Sequence, residues 1–113
     1  MQQVVDLQDA PSFERLGVAL LNIAVDPPDV WRADGVPIGI TTPMLSDIGN
    51  EVATTYGVMR WKMPSNEPGH TFVLIDAQGK VVWIKDFGAP EHGGAMYVVP
   101  SQLVGLVQQN LEA

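Results

Sequence analysis

At 113 residues the chain has the length of one domain, residues 1–113, and 46% hydrophobic content is enough to build a core. Thirteen carboxylates against six Lys and Arg give a net charge of −7, which argues against nucleic acid and against an anionic membrane surface as partners. There is no cysteine, so disulfides, thiolate metal sites and thiol nucleophiles are all excluded within these residues. No apolar run approaches the roughly 20 residues that span a bilayer. The opening Met1-Gln2-Gln3-Val4-Val5 is not a signal peptide, so the bare chain is expected to be cytoplasmic.

The first predicted element is a helix over residues 1–9 with Val4, Val5 and Leu7 on its apolar side. Pro11 breaks or kinks it, Phe13 and Leu16 continue the apolar side for one turn, and Gly17 serves as a C-cap. Residues 18–25, Val-Ala-Leu-Leu-Asn-Ile-Ala-Val, read as a strand buried on both faces, as in parallel sheets. Asp26 is the expected cap of a short helix that begins with Pro27 and Pro28, runs through Trp31 and Arg32, and ends at Gly35.

An extended loop follows to Pro43, then a brief edge strand at Met44 and Leu45. Ser46 or Asp47 caps the next helix, with Glu51 placed for a capping contact. Ile48, Val52 and Tyr56 share one face of it, and Gly57 ends it. Residues 60–69 are irregular, with two prolines. Residues 71–75 and 80–87 are β-rich and flank Asp76-Ala77-Gln78-Gly79, which predicts an antiparallel hairpin. A loop over 88–94 leads to a last helix from about Pro100 to Leu111, with Leu103, Leu106, Val107 and Leu111 on one face. A buried parallel strand with helical crossovers followed by a hairpin makes an α/β chain with a mixed sheet and helices on both faces.

Four segments carry a resemblance. They are Phe13-Glu14-Arg15-Leu16-Gly17-Val18 with Asn22-Ile23-Ala24-Val25-Asp26; Pro43-Met44-Leu45-Ser46-Asp47; Val52-Ala53-Thr54-Thr55-Tyr56-Gly57-Val58; and Thr71-Phe72-Val73-Leu74-Ile75-Asp76-Ala77-Gln78-Gly79-Lys80-Val81. In this order they resemble the redoxin family of alkyl hydroperoxide reductases and thiol-specific antioxidants, whose fold is thioredoxin-like. Gly-His-Thr-Phe at 69–72 and Met-Tyr-Val-Val-Pro at 96–100 are similar to redoxin-like relatives in which a strand and a Cys-x-x-Cys turn precede the first helix.

The resemblance implies a thiol-disulfide oxidoreductase or peroxidase-like domain. It also implies that the sequence starts downstream of the redox motif, as a thioredoxin-like fold truncated at its N-terminus. Redoxin chemistry needs a thiolate at a helix N-terminus, and methionine cannot exchange disulfides. The chain by itself is therefore expected to be inactive, with no catalytic residue of its own. The alternative is a cysteine-free thioredoxin-fold module that binds a peptide or protein. By the same resemblance the central strand of the sheet is missing. Either the strands at 18–25 and 71–75 pair directly, or a second chain fills the gap, as a homodimer formed by strand exchange or edge pairing.

His70 occupies the position that, in relatives, faces the redox motif. It could stabilise a thiolate or shuttle a proton, or simply hydrogen-bond backbone within its loop. Met59, Trp61 and Met63, with His70, form a candidate partner surface; the competing reading of the cluster is a small satellite core. Trp83 reads as sheet packing. Asp86, Glu91 and His92 do not have zinc-ligand spacing, so no metal and no cofactor is expected. Ser46, Asp47, Thr54 and Thr55 lack the partners of a hydrolase, and no phosphate-binding glycine loop is present.

Overall fold

A computed structural model describes residues 1–112. Its first elements are α1 (Gln2–Gln8) and α2 (Pro11–Glu14). Pro11 sits in the first turn of α2, where its missing N–H removes no helical hydrogen bond, so it divides two short helices rather than kinking one. Gly17 ends this unit as a cap, its φ of 71° in the left-handed region and its N–H donating to the Glu14 carbonyl. Leu7 and Phe13 enter the core, whereas Val4 and Val5 are only half-buried. The other buried position of α1 belongs to Gln3, a polar residue that the apolar pattern passes over.

β1 (Asn22–Ala24) pairs in parallel with β2 (Met44–Ser46), placing Ile23 opposite Leu45. Between them α3 (Pro28–Gly35) makes the crossover. Pro27 is its N-cap and no side chain bonds there, so the expected Asp26 cap does not form; the fixed φ of the two prolines sets the helix start instead. Trp31 is buried, and its Nε1–H donates to the Leu45 carbonyl at 3.1 Å. Gly35 lies against the Met44 sulfur, where a Cβ would come within 2.6 Å. α3 thus covers the Asn22–Met44 face of this ladder.

The opposite face is bare. Leu21 is 56% exposed and Ile23 48%, so the strand at 18–25 is neither as long nor as buried as its apolar run predicts. The reason is that β1 has a ladder on one edge only and a helix on one face only.

α4 (Glu51–Thr55) begins after a tight turn in which Gly49 (φ 83°) and Asn50 (φ 60°) are left-handed. The turn takes Ile48 out of helical phase, leaving it 67% exposed, and Val52 is also exposed; the anticipated Ile48–Val52–Tyr56 face is not a core face. Asp47 does cap the helix, though at a distance. Its two carboxylate oxygens accept the N–H groups of Val52 and Ala53, both at 2.9 Å. A 3-10 turn, Val58–Trp61, follows.

β3 (Thr71–Ile75) and β4 (Val81–Asp86) form the antiparallel hairpin, with a register shift at Leu74/Ile75. Asp76 closes the turn, its Oδ1 accepting the N–H groups of Gln78 and Lys80, and Gly79 has φ 82°. A second 3-10 turn, Pro90–His92, precedes α5 (Pro100–Glu112). Leu7, Phe13, Leu74, Phe87, Val98, Leu103, Val104 and Val107 make the core, with Phe72 and Trp83 packed against it.

The order of elements is that of the sequence reading, but the strands form two separate two-stranded sheets. Direct pairing of β1 with β3 does not occur. Among the described residues no helix is long and apolar enough to cross a membrane.

Candidate functional site

Three segments meet at one end of the hairpin: the lead-in to β3, the exit of β4, and the 3-10 turn that carries Trp61. The Phe87 N–H donates to the His70 carbonyl at 2.9 Å. Two glycines allow the close approach. A Cβ on Gly88 would stand 2.8 Å from the His70 nitrogen, and one on Gly69 would stand 2.9 Å from the Trp61 carbonyl oxygen.

His70 points to α1. Its Nε2 lies 2.9 Å from Oε1 of Gln3. The Gln3 amide is itself fixed by the backbone of Val98: its Nε2 donates to the Val98 carbonyl (2.8 Å) and its Oε1 accepts the Val98 N–H (2.7 Å). With that amide orientation set, Oε1 can only accept. His70 therefore carries its proton on Nε2 and presents a lone pair at Nδ1. Burial lowers the His70 pKa, the N-terminal ammonium reinforces the effect, and Asp86 opposes it. The imidazole is thus held neutral, able to accept a proton at Nδ1 but poorly suited to be a cation. Gln3, which organises this junction, carries no sequence signal, because a glutamine in a helix ordinarily faces solvent.

Asp86 is the second centre. Only 2% exposed, it accepts from the Thr71 hydroxyl (2.8 Å), the Ala89 N–H (2.8 Å) and Nδ1 of His92 (2.9 Å). Burial pushes its carboxyl up, but these bonds outweigh burial and hold it below the usual carboxylate range. His92 is partly exposed, and its ring meets the Trp61 ring edge-on at 5.5 Å. The Arg60 guanidinium lies over the Trp61 ring, 4.0 Å from its centroid. Of the three residues weighed as metal ligands, Asp86 and His92 come together and Glu91 does not join them. Among the described residues no three His, Cys, Asp or Glu side chains are placed to hold a metal.

Beside this stack runs a groove of about 360 Å³. One wall is the segment 60–64 with Trp61 and Met63; the other is 88–91 with Gly94 and Met96. Of the four residues proposed as a partner surface, Trp61 and Met63 line this groove. Met59 is half-buried in the 3-10 turn and His70 is engaged with Gln3, so neither is part of its wall.

A helix-flanked parallel pair followed by a hairpin and a terminal helix is a redoxin-type, thioredoxin-like arrangement. The chain belongs to the AhpC/TSA family, whose profile matches residues 2–84. Solved structures agree on the fold. Mycobacterium tuberculosis AhpC is similar with a TM-score of 0.72 at 16% identity, over 99% of this chain and 61% of that one. The reduced 2-Cys peroxiredoxin of Plasmodium vivax gives 0.69 at 21% identity, over 99% and 70%. Plasmodium yoelii thioredoxin peroxidase I gives 0.67 at 22%, over 97% and 63%. The chain thus spans less than two thirds of the mycobacterial protein's length. No curated protein sequence matches it.

Proposed function

We propose that these 113 residues form the body of a redoxin domain and carry out no thiol chemistry by themselves. The observation that carries this reading is the absence of any cysteine from a chain of the AhpC/TSA family. The environment of His70 agrees with it: the ring meets the amide of Gln3, a group that neither ionises nor cycles. Any thiol turnover in a protein containing this chain has to be supplied from outside these residues. Insulin reduction and hydrogen peroxide consumption, measured with a dithiol reductant, are expected to match the no-protein control. Turnover above that control sinks the reading.

The partner we propose is a second copy of the chain, joined by strand exchange or edge pairing. Support comes from the sheets: β1 and β3 each have one edge without a ladder, and Ile23 on β1 and Val73 and Ile75 on β3 are exposed. Sedimentation at high micromolar concentration is expected to show a dimer that Ile23→Pro disperses. A strict monomer at that concentration rules this association out.

A further inference from the structure

We infer that the groove between segments 60–64 and 88–96 is a docking site for a short acidic peptide with an apolar anchor. Its chemistry is independent of thiol turnover, and of its lining only Gly69 and Met96 also border the hollow beside β1.

The groove is preformed. On one side Met63 N–H donates to the Glu67 carbonyl (2.8 Å) and Asn66 N–H to the Met63 carbonyl (2.9 Å), closing a small loop that Asn50 ties to the start of α4 through its bond to the Asn66 carbonyl. On the other side Ala95 donates to Phe87 (2.8 Å), and His92 and Gly94 both donate to the Ala89 carbonyl (2.8 and 3.0 Å). Loops that satisfy their own backbone lose little freedom when a ligand arrives. Across the groove the Trp61–His92 contact and the close approach at Gly69 hold the walls in register.

Its lining suits an apolar anchor. Trp61, Met63, Pro64, Pro90 and Met96 supply an aromatic edge, two adaptable thioethers and two rigid rings. Met63 and Met96 are both exposed, so the cost of leaving them in water is recovered only when something covers them.

Charge selects the rest of the occupant. Arg60 and Lys62, two of the chain's six basic residues, stand on one rim. Among the described residues neither has a carboxylate within ion-pair distance, although the chain carries thirteen. Stacking on Trp61 leaves the edge of the Arg60 guanidinium, with its N–H donors, free to face a carboxylate. Glu91 on the far wall is the groove's one acidic residue. At physiological ionic strength the chain's distant carboxylates are screened beyond about 8 Å, so the local rim decides the preference.

The test uses the full chain and two fluorescein-labelled peptides. In one, glutamates flank a leucine–phenylalanine pair; in the other, lysines replace the glutamates. Anisotropy is expected to rise saturably with the acidic peptide, at least about tenfold more tightly than with the basic one, the size of two exposed ion pairs near the top of their usual range. R60E/K62E, on exposed positions and checked for unchanged circular dichroism, is expected to abolish that preference. M63S/M96S is expected to weaken binding of the acidic peptide while keeping the preference. No saturable signal, equal binding of the two peptides, or a preference untouched by R60E/K62E overturns the inference.

Discussion

The two sheets of this chain are built to different standards. The hairpin β3–β4 packs one face on α5 and on the opening helices, and every member of the main core cluster lies in these elements or in the segments that join them. The parallel pair β1–β2 contributes nothing to that cluster. It is held by Trp31, by the bond of Trp31 to the Leu45 carbonyl, and by the Asp47 cap, while Leu21, Ile23 and Leu45 remain in water. Buried apolar area is what separates a region that opens only with global unfolding from one that opens locally. The hairpin half is accordingly the stable unit, and the parallel half depends on its attachment to it.

The largest effect that would sharpen this contrast is a cavity in the core. Leu7→Ala, at a position 1% exposed, is expected to cost about 3 kcal/mol in thermal or denaturant unfolding, whereas Ile23→Ala on the bare face is expected to cost less than about 0.5 kcal/mol. Equal costs would erase the distinction between the halves. Next comes Asp86→Asn, which keeps the volume but weakens acceptance from Thr71, Ala89 and His92. A loss of about 2 kcal/mol is expected from its urea midpoint, with a parallel drop in protection of the β4 amides.

Hydrogen exchange on the unaltered chain should show β1 and β2 amides exchanging well before those of β3, β4 and α5. Simultaneous exchange would make the chain a single cooperative block. The smallest effect is that of pH. The His70 pKa is lowered in the folded chain, so the native state favours the neutral ring. Its contribution is whole above the unfolded value of about 6.5 and is lost as pH falls below that toward the folded value. The melting temperature should therefore fall slightly between about pH 7.5 and pH 5.5 in the unaltered chain, and less in His70→Gln; identical slopes would show that His70 does not titrate against folding.

Local chemistry made the hairpin legible in the sequence. Asp76 and Gly79 have side-chain and backbone requirements that only a tight turn meets, and the flanking β-rich runs need no distant partner to pair. Gly17 and the Pro27-Pro28 helix start were legible for the same reason. β1 was not, because an apolar run states only that a strand would be buried if neighbours existed on both edges and both faces. Ile48 was misassigned because helical spacing does not reveal a left-handed turn at Gly49 and Asn50. At the site, apolar clustering singled out Trp61 and Met63, and both line the groove. Asp86, Glu91 and His92 were set aside as metal ligands on their spacing, and that spacing says nothing of the Asp86–His92 hydrogen bond that the fold makes. Gln3 was invisible, since its role depends on backbone that arrives from Val98, 95 positions away.

The amides of α1 carry a consequence for tolerance to mutation. Gln8 mirrors Gln3 at the other end of the helix: its Nε2 donates to the Gly39 carbonyl (2.6 Å) and its Oε1 accepts the N–H groups of Thr41 (3.0 Å) and Thr42 (3.3 Å). One short helix thus grips the loop before β2 with one hand and the segment before α5 with the other, in each case chiefly through peptide groups, with the Thr42 hydroxyl and the His70 ring adding one side-chain bond at each end. The gripped position at Thr41 is free to drift in identity without loosening the hold, whereas Val98 is kept apolar by its place in the core. The grips are not, because glutamate at either place would trade a required donor for a charge with no donor to offer.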